Sequence, residues 1–474
     1  MALRGQIPEG QATWPDPLLG INLRESEENL KDYESRLMQN CEYYGATRIR
    51  RGSQRINGTA LSASHRIRGG QMYYYGGAAQ QKKNLVAYSN RISALSGSGT
   101  ESILTSSMTA DQDMYISTWP ITDKAYFANK VDVLSSYDGT TWATVNGTNI
   151  PTPRSHVIPI LDRLMCVTIN GIERTDPRVD SVWSHNSSWA TLRPSQPGLF
   201  TALASASIKS SDSIYDGALA FQERAYYIIT GTDFGNDVTS ASASTGENAA
   251  IRLLDPTVGT NSPYSICTVP GIGIFWFTSD CNIFWIPEGQ LKGRFVGDKI
   301  QSTVATQGIE STNLAALSQV WITYFDRMLM VSIPLGSNTY PTIQFWMDMR
   351  SMMEYPDRGP VWYGPMIGQS LSRCWVGNQQ GDNLVFGGEG NPSTGAFVYQ
   401  LRVPGRFTDA QGLADIPIQM SYQTPFKSFG TPSREKYIQA IHLDMNSYSG
   451  QATLDLLDLD GTLATDVPIV AVGN

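Results

Sequence analysis

The chain has 474 residues, of which 41% are hydrophobic and 16% charged, and it contains 43 glycines and 25 prolines. This length can bury a large core, and a low charge content with many turn-forming residues is typical of an all-β protein. The 35 basic and 43 acidic residues leave a net charge of -8, so the chain as a whole is not attracted to nucleic acid or to an anionic membrane.

The N-terminal part of the chain contains a stretch with helical periodicity. Between residues 20 and 44, acidic residues precede apolar residues that recur at the spacing of one helix face. We therefore predict an N-terminal arm, residues 1–55, with a short amphipathic helix. We expect this arm to mediate assembly, and we expect residues 1–45 to be dispensable for folding of the rest. Its predicted assembly stripe is Leu30, Tyr33, Leu37 and Met38.

Arginines are concentrated directly after this stretch, although the chain is acidic overall. The alternation of the first ones with apolar residues is also the pattern of an exposed strand. The cluster therefore has two interpretations, a surface that faces DNA phosphates and a solvated surface that faces a neighbouring subunit. Its members are Arg48, Arg50, Arg51, Arg55, Arg66 and Arg68.

Residues 56–405 consist of short apolar runs separated by turn residues, which is the pattern of strands and hairpins. Three of the runs follow an acidic residue and an arginine, namely Asp162-Arg163, Glu223-Arg224 and Asp326-Arg327. Such repetition predicts a β-propeller of six to eight blades, in which radial packing protects the strand edges. Separate β-sandwich domains are the alternative, but they do not explain a repeated turn.

Residues 406–474 lie beyond the repeats and predict a small C-terminal β extension. Within them, residues 458–463 (Asp-Leu-Asp-Gly-Thr-Leu) resemble the first motif of haloacid-dehalogenase-type phosphatases. Too few residues follow for the α/β domain that this chemistry requires. We predict a hairpin turn at Asp460 and Gly461 instead.

Residues with catalytic chemistry are sparse in this sequence. The four histidines and five cysteines have no spacing typical of metal ligands or of a nucleophile and its base. We therefore predict that the protein is not an enzyme and has no catalytic residues, metal or cofactor. The first ten residues lack the apolar core of a signal peptide, and no stretch of about 20 apolar residues follows. We expect no membrane partner.

One predicted turn is similar to an element of glycan-active propellers. Residues 136–142 (Ser-Tyr-Asp-Gly-Thr-Thr-Trp) resemble the Asp-box of sialidase-type propellers, with one residue fewer before the Thr-Trp pair. The box is a fold element in those enzymes, and we expect Asp138 to cap a turn in the same way. A glycan-binding or glycan-cleaving, sialidase-like propeller is therefore the alternative function.

Several short motifs share their order with a family of tailed-bacteriophage structural proteins. Residues 20–23 (Gly-Ile-Asn-Leu), the segment 38–43 around Asn40 and residues 50–52 (Arg-Arg-Gly) resemble the opening of that family, although its Arg-Pro-Gly lacks the proline here. The later motifs are residues 176–179 (Asp-Pro-Arg-Val), Ser184 and Trp189, then residues 262–265 (Ser-Pro-Tyr-Ser), the apolar strand 274–277 and residues 297–300 (Gly-Asp-Lys-Ile).

This resemblance implies a structural protein of the virion tail that is synthesised in the host cytoplasm. The family role is that of a tail hub or nozzle, or of a head-to-tail connecting protein, which forms a homo-oligomeric ring, commonly a hexamer. Such a ring helps to retain packaged DNA and to conduct it during ejection. The implied partners are the portal or adaptor, tail fibre or needle proteins, and packaged DNA. No catalytic residues carry over, because the family has none.

Overall fold

The computed structural model describes residues 17–26, 29–43, 47–77, 81–147, 150–153, 156–160, 162–169, 171–183, 195–210, 213–230, 250–302, 308–354, 359–379, 381–424, 451–457 and 463–470. Among these residues, four strands precede the repeats: β1 (Leu37–Gln39), β2 (Cys41–Tyr43), β3 (Thr47–Ile49) and β4 (Gln54–Arg55). Five strands of the described segments follow them: β31 (Thr408–Gln411), β32 (Ala414–Pro417), β33 (Ser421–Gln423), β34 (Gln451–Leu457) and β35 (Leu463–Val470).

The repeats form seven antiparallel sheets, which we call blades one to seven. Blade one contains β5 (Ile67–Tyr75), β6 (Gln81–Tyr88), β7 (Arg91–Leu95) and β8 (Glu101–Thr105), and blade two contains β9 (Tyr115–Trp119), β10 (Lys124–Ala128), β11 (Ser135–Tyr137) and β12 (Trp142–Thr144). Blade three contains β13 (Val157–Ile160), β14 (Arg163–Thr168) and β15 (Gly171–Arg174), and blade four contains β16 (Ala202–Ser210), β17 (Ser213–Phe221), β18 (Tyr226–Thr230) and β19 (Ala250–Asp255).

Three further blades complete the series. Blade five contains β20 (Ile266–Val269), β21 (Gly273–Phe277), β22 (Ile283–Pro287) and β23 (Arg294–Phe295), and blade six contains β24 (Trp321–Phe325), β25 (Met328–Ile333), β26 (Ile343–Asp348) and β27 (Val361–Met366). Blade seven contains β28 (Leu371–Gly377), β29 (Leu384–Glu389), β30 (Val398–Leu401) and the N-terminal strand β4. The described residues include one α-helix, α1 (Met349–Glu354), and 3-10 turns at Pro263–Ser265, Asp298–Ile300, Ile309–Ser311 and Leu314–Gln319.

The first strand of each blade is the innermost one. Each of these strands contacts the innermost strand of the next blade, and β28 of blade seven contacts β5 of blade one. The contacts therefore run around a closed circle, in which no inner strand is left as an exposed edge. The protein is a seven-bladed β-propeller, and the prediction of six to eight blades is confirmed.

A strand from the N-terminal segment completes blade seven. In the pairing of β4 with β30, Arg55 lies opposite Tyr399 and Gln54 lies opposite Gln400. The buried side chain of Asn57 extends this pairing, because its Oδ1 accepts a hydrogen bond at 2.8 Å from the backbone N–H of Val398, 341 residues away. The predicted boundary at residue 55 thus falls beside a strand that belongs to the propeller.

The predicted N-terminal helix is wrong. The described residues between 20 and 44 contain β1, β2 and isolated backbone bridges, and no α-helix. The physical reason is that partners distant in sequence take up the backbone hydrogen bonds: β1 pairs with β33, and the N–H of Ile21 donates to the carbonyl of Trp362 in β27. A single short helix is marginal in water, so tertiary pairing overrides its periodicity.

The predicted turns lie where the sequence suggested. The acidic residue and arginine pairs occur between β17 and β18 and between β24 and β25, in blades four and six, and at the start of β14, in blade three. The Asp138 carboxylate accepts hydrogen bonds at 2.8 Å and 2.7 Å from the backbone N–H groups of Thr140 and Thr141, which is the predicted cap. Ser184, Trp189 and residues 458–462 lie outside the described residues. The strands on either side of residues 458–462, β34 and β35, pair antiparallel.

Candidate functional site

Strands from the segments directly before and directly after the repeats pack against the outer strands of blades six and seven. β1 and β2 contact β27, while β31 contacts β4. The pairing of β1 with β33 joins the two ends to each other. We call the described residues within 17–53 and 406–424 together the terminal layer.

The terminal layer is anchored on blade six at Gly20. This residue has a φ of +72°, and a Cβ there would lie 2.2 Å from the carbonyl oxygen of Trp362, so a side chain does not fit. The next N–H, that of Ile21, donates to the same carbonyl at 2.8 Å, and the N–H of Leu23 donates to the carbonyl of Lys299 at 2.7 Å. The motif at residues 20–23 thus fastens the layer to the propeller.

A buried carboxylate strengthens this attachment. Glu34 is 2% exposed, and its Oε1 lies 3.0 Å from the Lys299 ammonium, while Asn22 donates to its Oε2 at 3.1 Å. Burial alone would raise the pKa of Glu34, but the hydrogen bonds from Asn22 and Lys299 and the charge of Lys299 outweigh burial and lower that pKa. Residues of the motifs at 20–23 and 297–300 therefore meet in one polar contact.

Asn40 and Arg50 join the terminal layer to blade six and to the C-terminal hairpin. The Asn40 Oδ1 accepts hydrogen bonds from Arg50 Nε at 3.0 Å and from the N–H of Ile367 at 2.9 Å, and its Nδ2 donates to the carbonyl of Gln419 at 2.8 Å. Arg50 also forms an ion pair with Asp409 through both carboxylate oxygens, with Nη1 and Oδ1 3.0 Å apart. Arg50 is 5% exposed, so it is part of the interior.

The predicted basic cluster is not one continuous surface. Arg48, Arg50, Arg51 and Arg55 belong to the terminal layer or its edge, whereas Arg66 precedes β5 and Arg68 lies in β5, the innermost strand of blade one. Like Arg50, the other three arginines of this first group have partners within the chain. Arg48 lies 3.0 Å from Glu42, Arg51 lies 3.6 Å from Asp326, and Arg55 donates to the carbonyl of Gly412 at 2.5 Å. The prediction of one shared DNA-facing or subunit-facing surface is corrected, because Arg48, Arg50 and Arg51 pair with carboxylates of the same chain, Arg55 bonds to a backbone carbonyl, and Arg66 and Arg68 lie elsewhere in the fold.

The predicted assembly stripe is also corrected. Met38 is 0% exposed and belongs to the largest apolar core cluster, whereas Leu30, Tyr33 and Leu37 are half-buried. Since β1 is a strand, the adjacent side chains of Leu37 and Met38 point to opposite faces. The four residues therefore do not share a face, and Met38 is core rather than contact surface.

The C-terminal part of the layer exposes apolar side chains that the sequence did not single out. Phe407, Leu413, Ile416 and Met420 are 48%, 72%, 41% and 43% exposed. All of β32 is exposed, and among the described strands it pairs only with β31, so one of its edges is open. Exposed apolar groups beside an unpaired edge are typical of a contact surface. We call residues 407–420 the hairpin patch.

A second group of polar residues lies where the innermost strands begin, at one mouth of the central channel. We call this group the mouth cluster; it comprises Arg66, Arg68, Asp113, Tyr264, Gln319 and Arg373. Gln319, next to blade six, donates at 2.8 Å to Asp113, next to blade two, and the Tyr264 hydroxyl, next to blade five, donates to the carbonyl of Met114. Blades two, five and six are not all neighbours, so these bonds cross the axis and close this mouth.

An ion pair and a cation–π contact stabilise the mouth cluster. Arg373 is 1% exposed, its Nη2 lies 3.1 Å from Asp113 Oδ1, and its guanidinium lies 4.0 Å from the ring centre of Tyr264. Burial alone would raise the pKa of Asp113, but the charge of Arg373 and the hydrogen bond from Gln319 outweigh burial and lower that pKa. The carboxylate is therefore ionised at neutral pH. Local sequence singled out only Arg66 and Arg68 and gave no signal for the cluster as a whole, because its members come from five different blades.

The glycan alternative requires converging arginines, carboxylates and aromatic rings at one channel mouth. The mouth cluster brings these groups together, but its buried members are bound to one another. Among the described residues, no three His, Cys, Asp or Glu side chains are grouped so that they could hold a metal ion. Within the same part of the chain, no helix is long and apolar enough to cross a membrane.

Comparisons with known proteins do not identify a family. No protein-family model and no curated protein matches the sequence. Among solved structures, the chain is similar to YCF48 bound to a D1 peptide (8% identity, TM-score 0.43, 78% of this chain and 98% of that one) and to the WD40 propeller domain of Doa1 (8%, 0.42, 75% and 99%). It is also similar to PorZ of Porphyromonas gingivalis (10%, 0.41, 86% of this chain and 43% of that one).

Proposed function

We propose that this protein is a structural component of a tailed-bacteriophage virion, acting as a tail hub or nozzle or as a head-to-tail connecting protein. In this role it forms a homo-oligomeric ring, a hexamer in the family it resembles, and helps to retain or conduct packaged DNA. It is synthesised in the host cytoplasm and contacts portal or adaptor proteins and tail fibre or needle proteins.

The observation that carries the proposal is where the resemblance motifs lie in the fold. The motifs at residues 20–23, 38–43, 50–52 and 297–300 supply the contacts of one structure, the terminal layer with its attachment to blades five and six. A propeller needs no such layer to protect its own strand edges. A layer on the side wall with an exposed apolar patch suits a protein that contacts neighbouring subunits.

The mouth cluster bears on how DNA would pass such an assembly. Because hydrogen bonds cross the axis between blades two, five and six, the propeller channel of one subunit is not open to a duplex at that mouth. In the proposed ring, DNA therefore passes through the opening surrounded by several subunits. The subunits then act as wall segments, with their propeller axes away from the DNA path.

Light scattering on the purified chain tests the ring. We expect a multi-subunit particle for the natural sequence and a monomer for the variant Leu413→Asp with Met420→Asp, because both changes place a charge in the hairpin patch. Ile103→Asp is the matched control, since Ile103 is 51% exposed on β8 of blade one, away from the layer. A monomeric natural protein, or equal dissociation by the control, contradicts the proposed ring.

Electron microscopy of virions tests the location. Gold-labelled antibodies against the purified chain should bind at the tail or at the head-to-tail junction of particles from the phage that encodes it. Label on capsids alone, or none on intact and disrupted particles, contradicts the proposal.

A further inference from the structure

The charges of the mouth cluster are not fully balanced. Arg373 lies 3.1 Å from Asp113, and Arg68 lies 3.7 Å from the same carboxylate and 3.4 Å from that of Asp111. Arg66 lies at the same mouth and has no carboxylate at ion-pair distance among the described side chains. The mouth cluster therefore contains three guanidinium groups but only two nearby carboxylates, those of Asp111 and Asp113.

Arg66 is held by neutral acceptors only. Its Nη2 donates to Gln319 Oε1 at 3.2 Å and its Nη1 donates to the carbonyl of Thr339 at 3.2 Å. Burial, and then the nearby charge of Arg68, lower the pKa of Arg66 to about 10. An anion beside Arg66 would relieve this unfavourable environment.

The deeper part of the cluster has hydrogen-bond donors that no described group accepts. Arg373 is 1% exposed, and its Nε has no acceptor among the described residues, whereas its Nη2 lies 3.1 Å from Asp113 Oδ1 in an ion pair. The Nε of Arg68 is likewise buried without an acceptor. Buried donors without acceptors are costly, so the cluster favours any ligand that supplies oxygen atoms.

We propose that Arg66 and Arg68 bind an oxyanion, the phosphate or carboxylate group of a small ligand, at this mouth of the channel. The planar guanidinium fork matches the oxygens of both groups, and Arg373 adds positive potential from below. The Asp111 carboxylate competes with such a ligand for Arg68. It is 51% exposed and lies 3.4 Å from Arg68 Nη2, where an oxygen of the ligand would bind. This site goes beyond the proposed virion role and does not depend on it.

Titration calorimetry with inorganic phosphate and, separately, glucuronate tests the site at neutral pH and constant ionic strength. We expect at least one of the two anions to bind at millimolar concentration or below. Arg66→Gln should weaken binding by roughly tenfold or more, because a charge-assisted hydrogen bond is lost. Asp111→Asn should have the opposite effect and tighten binding, because it removes the competing carboxylate.

Arg294→Gln is the matched control, since Arg294 is exposed on β23, the outermost strand of blade five. It should leave the affinity unchanged. The proposal is overturned if neither anion binds, if the control weakens binding as much as Arg66→Gln, or if Asp111→Asn does not tighten it. Thermal melts confirm folding, and the Asp111→Asn measurement decides the matter alone if Arg66→Gln does not fold. Binding of phosphate alone indicates a phosphate ligand, and binding of glucuronate alone indicates a sugar acid.

Discussion

The guanidinium of Arg50 and the carboxylate of Asp409 form a two-pronged ion pair across 359 residues of chain. The pair ties the segment before blade one to the hairpin after blade seven. Both side chains are almost completely buried, with exposures of 6% and 4%. Its geometry satisfies both charges, so each partner depends on the other.

Removal of one member of this pair should destabilise the protein strongly. Arg50→Ala is expected to lower the free energy of unfolding by about 3–5 kcal/mol, because Asp409 is left buried without its cation. Arg406→Ala is the control: the pair of Arg406 with Asp415 is 28% and 48% exposed, and its loss should cost at most about 1 kcal/mol. Equilibrium unfolding in urea measures both values, and equal losses would contradict the argument.

Because β1 is a strand and not part of a helix, substitutions of its two adjacent apolar residues should have unequal effects on stability. Met38→Ala should cost about 2–5 kcal/mol of unfolding free energy, because Met38 is 0% exposed in the core. Leu37→Ala, on the opposite face of β1, should cost clearly less. The expectation that residues 1–45 are dispensable for folding is withdrawn, since their deletion also removes the buried Ile21 and Leu23. Thermal denaturation of Met38→Ala, of Leu37→Ala and of the chain without residues 1–45 checks these expectations.

Closure of the propeller through Asn57 is open to the same kind of test. Asn57 is 2% exposed, and its amide bonds to Val398 and Ala396 of blade seven. Asn57→Ala should lower the free energy of unfolding by about 1–3 kcal/mol, because buried backbone groups lose their partner. Asn90→Ala removes a solvent-exposed bond to the carbonyl of Ser106 and should have little effect. If urea unfolding gives the two variants the same midpoint, the closing role of Asn57 is refuted.

The buried cysteines should make the free energy of unfolding depend on pH. Burial raises the pKa of Cys41 to about 12 and that of Cys281 to about 11, so both stay protonated in the folded protein where unfolded thiols, with a pKa of about 8.5, ionise. The folded state then holds more protons than the unfolded state, and stability falls as the pH rises from about 8.5 towards 11.

Urea midpoints measured across this pH range check the decline, and Cys41→Ala should make it shallower. Native Cys41 and Cys281 should also react slowly with a disulfide reagent at about pH 8, whereas both should react at once after unfolding. Rapid labelling of these two thiols in the native protein would show that they are not buried as described.

Local features of the sequence predicted the fold well. Strands and hairpin turns were recognisable because an acidic residue with an arginine, as at Asp326 and Arg327, forms a turn within a few residues. Repetition of that turn pointed to blades, since a repeated hairpin must pack against its neighbours. The cap at Asp138 was predictable for the same reason, as its partners are two and three residues away.

The candidate sites depend on contacts that local patterns do not contain. Gln319 and Asp113 are 206 residues apart in the chain, and neither is unusual in its own segment. The arginines near residue 50 looked like a free basic surface because their acidic partners, such as Asp409, are far along the sequence. The helical spacing of the N-terminal apolar residues was real, but pairing of Met38 with Tyr422 overrode it.

The position of β4 in blade seven has a consequence for folding during synthesis. Its partner β30 ends at Leu401, so a ribosome must translate more than 300 further residues after Arg55 before the last blade can form. Until then the blades that have left the ribosome form an open arc with exposed strand edges, which are prone to aggregation. The high sequence separation of the closing contacts also predicts slow refolding of the complete chain, with closure as a late event.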